Sequence, residues 1–131
     1  MPTTRQNDIA LLLLRLAFGG AMIYGHGWGK LMRLLSGEPI KFYDFMGLGP
    51  EISLALATFA EVGCALLVIL GLFTRWATAP LAITMMVAIS ANLGEGFGQI
   101  EKALLFLVAF VALSFTGPGW YSVDAQVRNR G

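Results

Sequence analysis

Ionisable residues set deep inside long apolar runs constrain this chain more than any other feature of its sequence. Apolar stretches cover roughly residues 9–29, 52–73, 76–93 and 103–116. A bilayer's hydrocarbon core takes about 20 apolar residues of helix. The first two stretches meet that length outright and the third sits at its lower limit. The fourth reaches it only if residues 98–102 extend the same helix. Arg15 lies within the first stretch and Glu61 at the middle of the second. Charge at such depth is expensive, and it faces a bundle interior, a partner or a wet cavity.

Composition agrees with an apolar solvent. Hydrophobic residues make up 56% of the chain and charged residues 13%, against roughly 25% charged in soluble domains. A soluble domain of 131 residues could not cover that much apolar surface, because small folds leave a large fraction exposed. The runs are continuous, unlike the alternating segments of about 10 residues that build a barrel. The expected fold is therefore all-α: an integral membrane four-helix bundle, one domain over residues 1–131. Its helices are expected near 8–33, 51–73, 75–94 and 98–116, with a long interfacial connection between the first two. The lipid bilayer is the expected partner. A net charge of +1 and the lack of a basic run exclude nucleic acid. The single cysteine, Cys64, excludes an internal disulfide or dithiol pair, and the single histidine excludes a bis-histidine haem within one chain. No flavin or metal signature is present.

The punctuation of the chain supports four helices. Asn7 and Asp8 are suitable caps for the first. Arg5 ahead of an apolar run resembles a signal peptide, but the run is too long, contains Arg15 and lacks a small-x-small cleavage site, so a retained helix is expected. Residues 31–50 mix Glu38, Lys41 and Asp44 with Phe42, Tyr43 and Phe45, as an interfacial segment would. Gly71 can end the second helix, Thr74 can cap the third, and Pro80 falls within its first two turns. Glycines at 94, 96 and 98 break the chain again. Gly117-Pro-Gly-Trp-Tyr121 stops the fourth helix and sets two aromatics at the interface. Four spans put both termini on one side. Arg5, Arg75, Arg128 and Arg130 lie on that side, and Lys30, Arg33, Lys41 and Lys102 on the other, with Arg15 tipping the balance toward cytoplasmic termini.

On a wheel of about 100° per residue, Arg15, Gly19, Met22, His26, Lys30 and Arg33 fall within roughly 80° of one another. Such a stripe must face protein. Ala57, Thr58, Cys64 and Ala65 flank Glu61, and small neighbours let another helix approach. A rise of about 1.5 Å per residue puts Arg15 about 10 Å, Glu61 about 18 Å and His26 about 27 Å in from the terminal side, so side-chain reach allows an Arg15–Glu61 pair with His26 a looser neighbour. Lys30, Asn92 and Glu95 belong to the connection side with His26. Simpler roles exist for each. Arg15–Glu61 can be a structural pair, His26 a helix-end hydrogen-bonding group, Lys30 and Arg33 headgroup anchors, and Cys64 and the methionines packing residues.

Leu13-Leu-Arg-Leu-Ala17 followed by His26-Gly-Trp-Gly-Lys-Leu31 resembles the opening of the DoxX family of small bacterial membrane proteins. The likeness continues in Ala60-Glu-Val-Gly63 and Leu70-Gly-Leu-Phe-Thr-Arg75, and closes in Gly117-Pro-Gly-Trp-Tyr-Ser-Val-Asp124. The matching positions include Arg15, His26, Lys30, Glu61, Arg75 and Asp124. The resemblance implies a four-helix protein of the bacterial cytoplasmic (inner) membrane and an oxidoreductase label. Related DoxD proteins are subunits of a thiosulfate:quinone oxidoreductase.

These readings converge on a membrane subunit that binds a quinone or similar small molecule in support of a redox reaction. Glu61 and His26 are the catalytic candidates, as proton-handling groups. Arg15, Lys30 and Asn92 are the substrate-binding candidates, with Arg15 as the charge partner of Glu61. Electrons would come from a soluble or membrane redox partner or a diffusible donor. The alternative is a non-catalytic scaffold or assembly factor that recruits a soluble redox enzyme. A permeation path ranks last, since four short helices would need a homo-oligomer to enclose one.

Overall fold

A computed structural model of the chain describes residues 4–37, 39, 44 and 46–130. It is all-helical among those residues. Helix α1 is Arg5–Leu35, α2 Pro50–Leu70, α3 Thr74–Ala91, α4 Phe97–Thr116 and α5 Val123–Arg130. By length and composition α1 and α2 are long and apolar enough to cross a membrane. Glu38, Lys41, Phe42, Tyr43 and Phe45 of the expected interfacial connection lie outside the described residues. Asp44 is described, and its carboxylate accepts from the Gly49 N–H at 2.8 Å, just ahead of α2.

The ends of the helices follow local chemistry. Thr4, not Asn7 or Asp8, caps α1, its hydroxyl accepting from the Asn7 N–H; the hydroxyl satisfies one of the amides a helix start leaves open. Pro50 opens α2 at a position where its missing N–H is harmless. Gly71 ends α2 at φ 72°, and the Leu72 N–H closes back onto the Leu67 carbonyl at 2.9 Å. Thr74 is the first residue of α3 rather than its cap. Capping falls to Asp124, whose carboxylate takes the N–H groups of Phe73 and Thr74 at 3.0 and 3.3 Å. Pro80 sits in the second turn of α3, and residues 98–102 do extend the fourth helix.

Helix α5 departs from the expected four. Ser122 starts it by accepting from the Ala125 N–H at 3.2 Å, and the Asp124 N–H donates to the Gly71 carbonyl at 3.0 Å. The last helix is thereby tied to the turn between α2 and α3.

The four long helices pack in the order α1–α2–α3–α4, with α4 also touching α1. Their shared interior holds Met22, Val68, Leu81, Met85, Phe110 and Leu113. Phe106 joins α4 to α1 through edge-on contacts with Phe18 and His26. Much of the outward surface is apolar: Tyr24, Trp76 and Phe115 are 80% or more exposed, an arrangement suited to lipid rather than water.

Both spanning-length helices carry a π-helical turn, Ile23–Gly27 in α1 and Phe59–Cys64 in α2, and the two turns touch. In the first, the Trp28 N–H reaches five residues back to the Ile23 carbonyl. A wide turn takes up one extra residue and shifts everything beyond it in phase.

Candidate functional site: a cleft at the Lys30–Glu61 pair

The register of α1 against α2 is set by two glycines. A Cβ on Gly19 would press on Ile69 and lie 3.2 Å from the Ala65 carbonyl. One on Gly27 would sit 2.9 Å from the Glu61 carbonyl oxygen and 2.7 Å from a Val62 methyl. The helices therefore run antiparallel, with Gly27 level with Glu61 and Gly19 level with residues 65–69. The buried residues of α1 step from Arg15 to Gly19 to Met22 and then to Gly27. That last stride of five is the mark of the wide turn. A regular helix would have put His26 on this face; the π turn puts Gly27 there.

This register replaces the expected Arg15–Glu61 pair. Glu61 is 2% exposed and pairs with Lys30, whose Nζ lies 2.8 Å from Oε2 and donates to Oε1 at 3.1 Å. Lys30 is one helical turn beyond Gly27, so its ammonium reaches the carboxylate beside the glycine. It is a partner to a buried charge and not the headgroup anchor that its position in the sequence suggests. Oε2 has the ion-pair contact but no aligned hydrogen-bond donor among the described residues. Both oxygens of the buried carboxylate thus lie within reach of one ammonium.

Arg15 is fully buried twelve residues before Gly27, about 18 Å along α1 from the level of Glu61 by a rise of about 1.5 Å per residue. Its guanidinium donates to the Tyr121 carbonyl and, at 3.5 Å, to the Ile69 carbonyl. It joins α1, the end of α2 and the segment leading into α5. His26 is likewise apart: its ring packs edge-on against Phe106 at 5.3 Å, and it is not among the residues that line the cleft described next.

A cleft of about 520 Å³ opens between α2 and α3 beside the ion pair. Lys30, Glu61, Ser53, Thr84 and Asn92 supply its polar groups, and Leu56, Phe59, Ile83 and Val87 much of its apolar wall. Asn92 directs its amide N–H to the Ala88 carbonyl at 2.8 Å, which leaves its oxygen as the remaining acceptor. Pro80 belongs to the wall as well. Volume and lining fit the usual small-molecule site, apolar with a few placed polar groups. Of the five candidates read from the sequence, Glu61, Lys30 and Asn92 meet here. Ser53 and Thr84 were missed, because serine and threonine in a span look like ordinary packing residues. No group of three or more metal-ligating side chains exists among the described residues.

A chain all-helical among its described residues, with an apolar exterior, two helices of spanning length and a buried ion pair beside an interhelical cleft, fits the class of small helical membrane proteins. Within that class the chain belongs to the DoxX family, whose model matches residues 10–93. The matched region contains both wide turns and the Lys30–Glu61 pair. The chain is similar to the inner membrane protein YqjF of Escherichia coli (strain K12), 29% identical over 128 residues that cover 94% of this chain and 95% of that protein. It is also similar to the uncharacterized membrane protein Rv3486 of Mycobacterium tuberculosis (strain ATCC 25618 / H37Rv), 35% identical over 109 residues, 63% of this chain and 67% of the relative. No solved structure matches it.

Proposed function

We propose that the chain is a multi-pass protein of the bacterial inner membrane whose α2–α3 cleft binds a quinone or a chemically similar small amphiphile. In this reading α1–α4 all cross the membrane as one four-helix domain, with both termini in the cytoplasm. The carrying observation is the buried Glu61 carboxylate, paired with Lys30 at the wall of an apolar cleft. A ligand hydroxyl can donate to Glu61 Oε2, and a ligand carbonyl can accept from the Lys30 ammonium. Apolar walls suit the rest of such a molecule. The name of the Escherichia coli relative supports an inner-membrane address.

Quinone reduction takes up two electrons and two protons. Lys30 and Glu61 suit the proton side, as a donor–acceptor pair in contact in a membrane cleft. The electrons are assigned to a redox partner or a diffusible donor, and His26 to packing against Phe106. The test is native mass spectrometry with lipid extraction on gently solubilised wild type, Glu61→Gln and Lys30→Met/Glu61→Met. A quinone-mass ligand held by wild type and lost from both variants, while both still melt cooperatively, is the expected result. Phospholipid alone in all three would overturn the ligand assignment and favour the scaffold reading.

A further inference from the structure

At the opposite end of the helices, where both termini gather, lies a second cleft of about 890 Å³. It is formed by the start of α1, the turn into α3 and the 117–128 region. Three arginines from three separate elements line it: Arg5 of α1, Arg75 of α3 and Arg128 of α5. None of the three guanidiniums makes an ion pair or hydrogen bond among the described residues. Two carboxylates share the cleft but hold backbone amides, Asp8 that of Trp120 at 3.0 Å and Asp124 those of Phe73 and Thr74. Thr74 belongs to the same wall. It is 1% exposed, and its hydroxyl has no hydrogen-bond partner among the described residues. A buried hydroxyl left unsatisfied costs free energy, and the three guanidiniums outnumber the two carboxylates of the same hollow, which leaves it net positive. One anion relieves both.

We propose that this cleft is a phosphate-binding site in which Arg5, Arg75 and Arg128 supply the charge and the Thr74 hydroxyl a further donor. Guanidinium forks match the paired oxygens of a phosphate and bind it bidentately. Trp76, Trp120 and Tyr121 rim the cleft, the ring types that settle at the level of lipid headgroups. The phosphate comes either from an anionic lipid headgroup or from a free phosphorylated solute. The site is independent of the α2–α3 cleft and stands whether or not that cleft holds a quinone.

The experiment uses the full chain in zwitterionic phosphatidylcholine nanodiscs. One arm adds phosphatidylglycerol and reads, by native mass spectrometry, whether one molecule stays with each chain. The other titrates inorganic phosphate by calorimetry. Both are repeated with Arg75→Gln alone and with Arg5→Gln/Arg75→Gln/Arg128→Gln; all three side chains are exposed, so folding should survive, as circular dichroism will report. Loss of one charged hydrogen-bonding group should weaken binding by about tenfold and loss of three should abolish it. Phosphatidylglycerol retention that disappears in the triple variant supports the lipid source. Phosphate binding that disappears supports the solute source. No binding in either arm, or binding indifferent to the arginines, overturns the site.

Discussion

Glu61 and Lys30 carry the most consequence per residue. Removing one member of a buried pair leaves a charge with no compensation, a loss of about 3–5 kcal/mol, whereas replacing both with apolar groups of similar volume is near neutral. Glu61→Met and Lys30→Met should each lower the unfolding midpoint in detergent, Lys30→Met more, because it strands a carboxylate only 2% exposed, whereas Lys30 left alone is 20% exposed and can turn its ammonium outward. The double variant should melt close to wild type. Additive losses in the double would mean that the two do not act as a pair. The sequence made Glu61, Lys30 and Asn92 conspicuous, as polar groups in or beside apolar runs. It did not disclose which cation meets Glu61. A straight wheel and a uniform rise bring Arg15 only within side-chain reach of it; the close approach at Gly19 and Gly27 sets the true level, and that contact needs both helices to be seen together.

Among the elements, the π turn of α1 is the feature a periodicity reading cannot resolve. It takes up one residue without changing the local apolar composition, so the His26 stripe looked continuous. Deleting Tyr24, which is 89% exposed, should relax the turn to a regular helix while leaving Gly19 and Gly27 on the buried face. Circular dichroism and melting should then match wild type, and ligand retention would report whether the wide turn serves the cleft. A collapse of stability would show that the extra residue is needed for packing. Helix α5 was missed for a different reason: it is short and polar, and its start rests on Ser122. Asp124, noted in the sequence as a family position, works as the cap of α3. Asp124→Ala should cost about 1–2 kcal/mol, the usual worth of an N-cap, read as a lowered melting point. Asp124→Asn should recover part of it, since an amide oxygen can still accept.

At the scale of the whole molecule, the all-helical character and the family were legible from the apolar runs and the three motif blocks. Orientation was not, because cations divide almost evenly between the two ends. Single-cysteine variants in a Cys64→Ala background should settle it. A cysteine at Gln126 and one at Gly94 are expected to label from opposite sides of intact cells, Gln126 only after permeabilisation. Labelling of both from outside would overturn the four-span arrangement with cytoplasmic termini.

The tie from Arg15 to Tyr121 spans 106 residues of sequence, and that span has a meaning in time. A ribosome makes Arg15 106 residues before it makes Tyr121. During most of synthesis the first helix must carry its guanidinium without the carbonyl that will finally receive it. The finished contact therefore records that the segment carrying Tyr121 has arrived. Chains stopped before Tyr121 should be cleared from the membrane faster than full-length protein in a pulse-chase, and Arg15→Leu should narrow that difference.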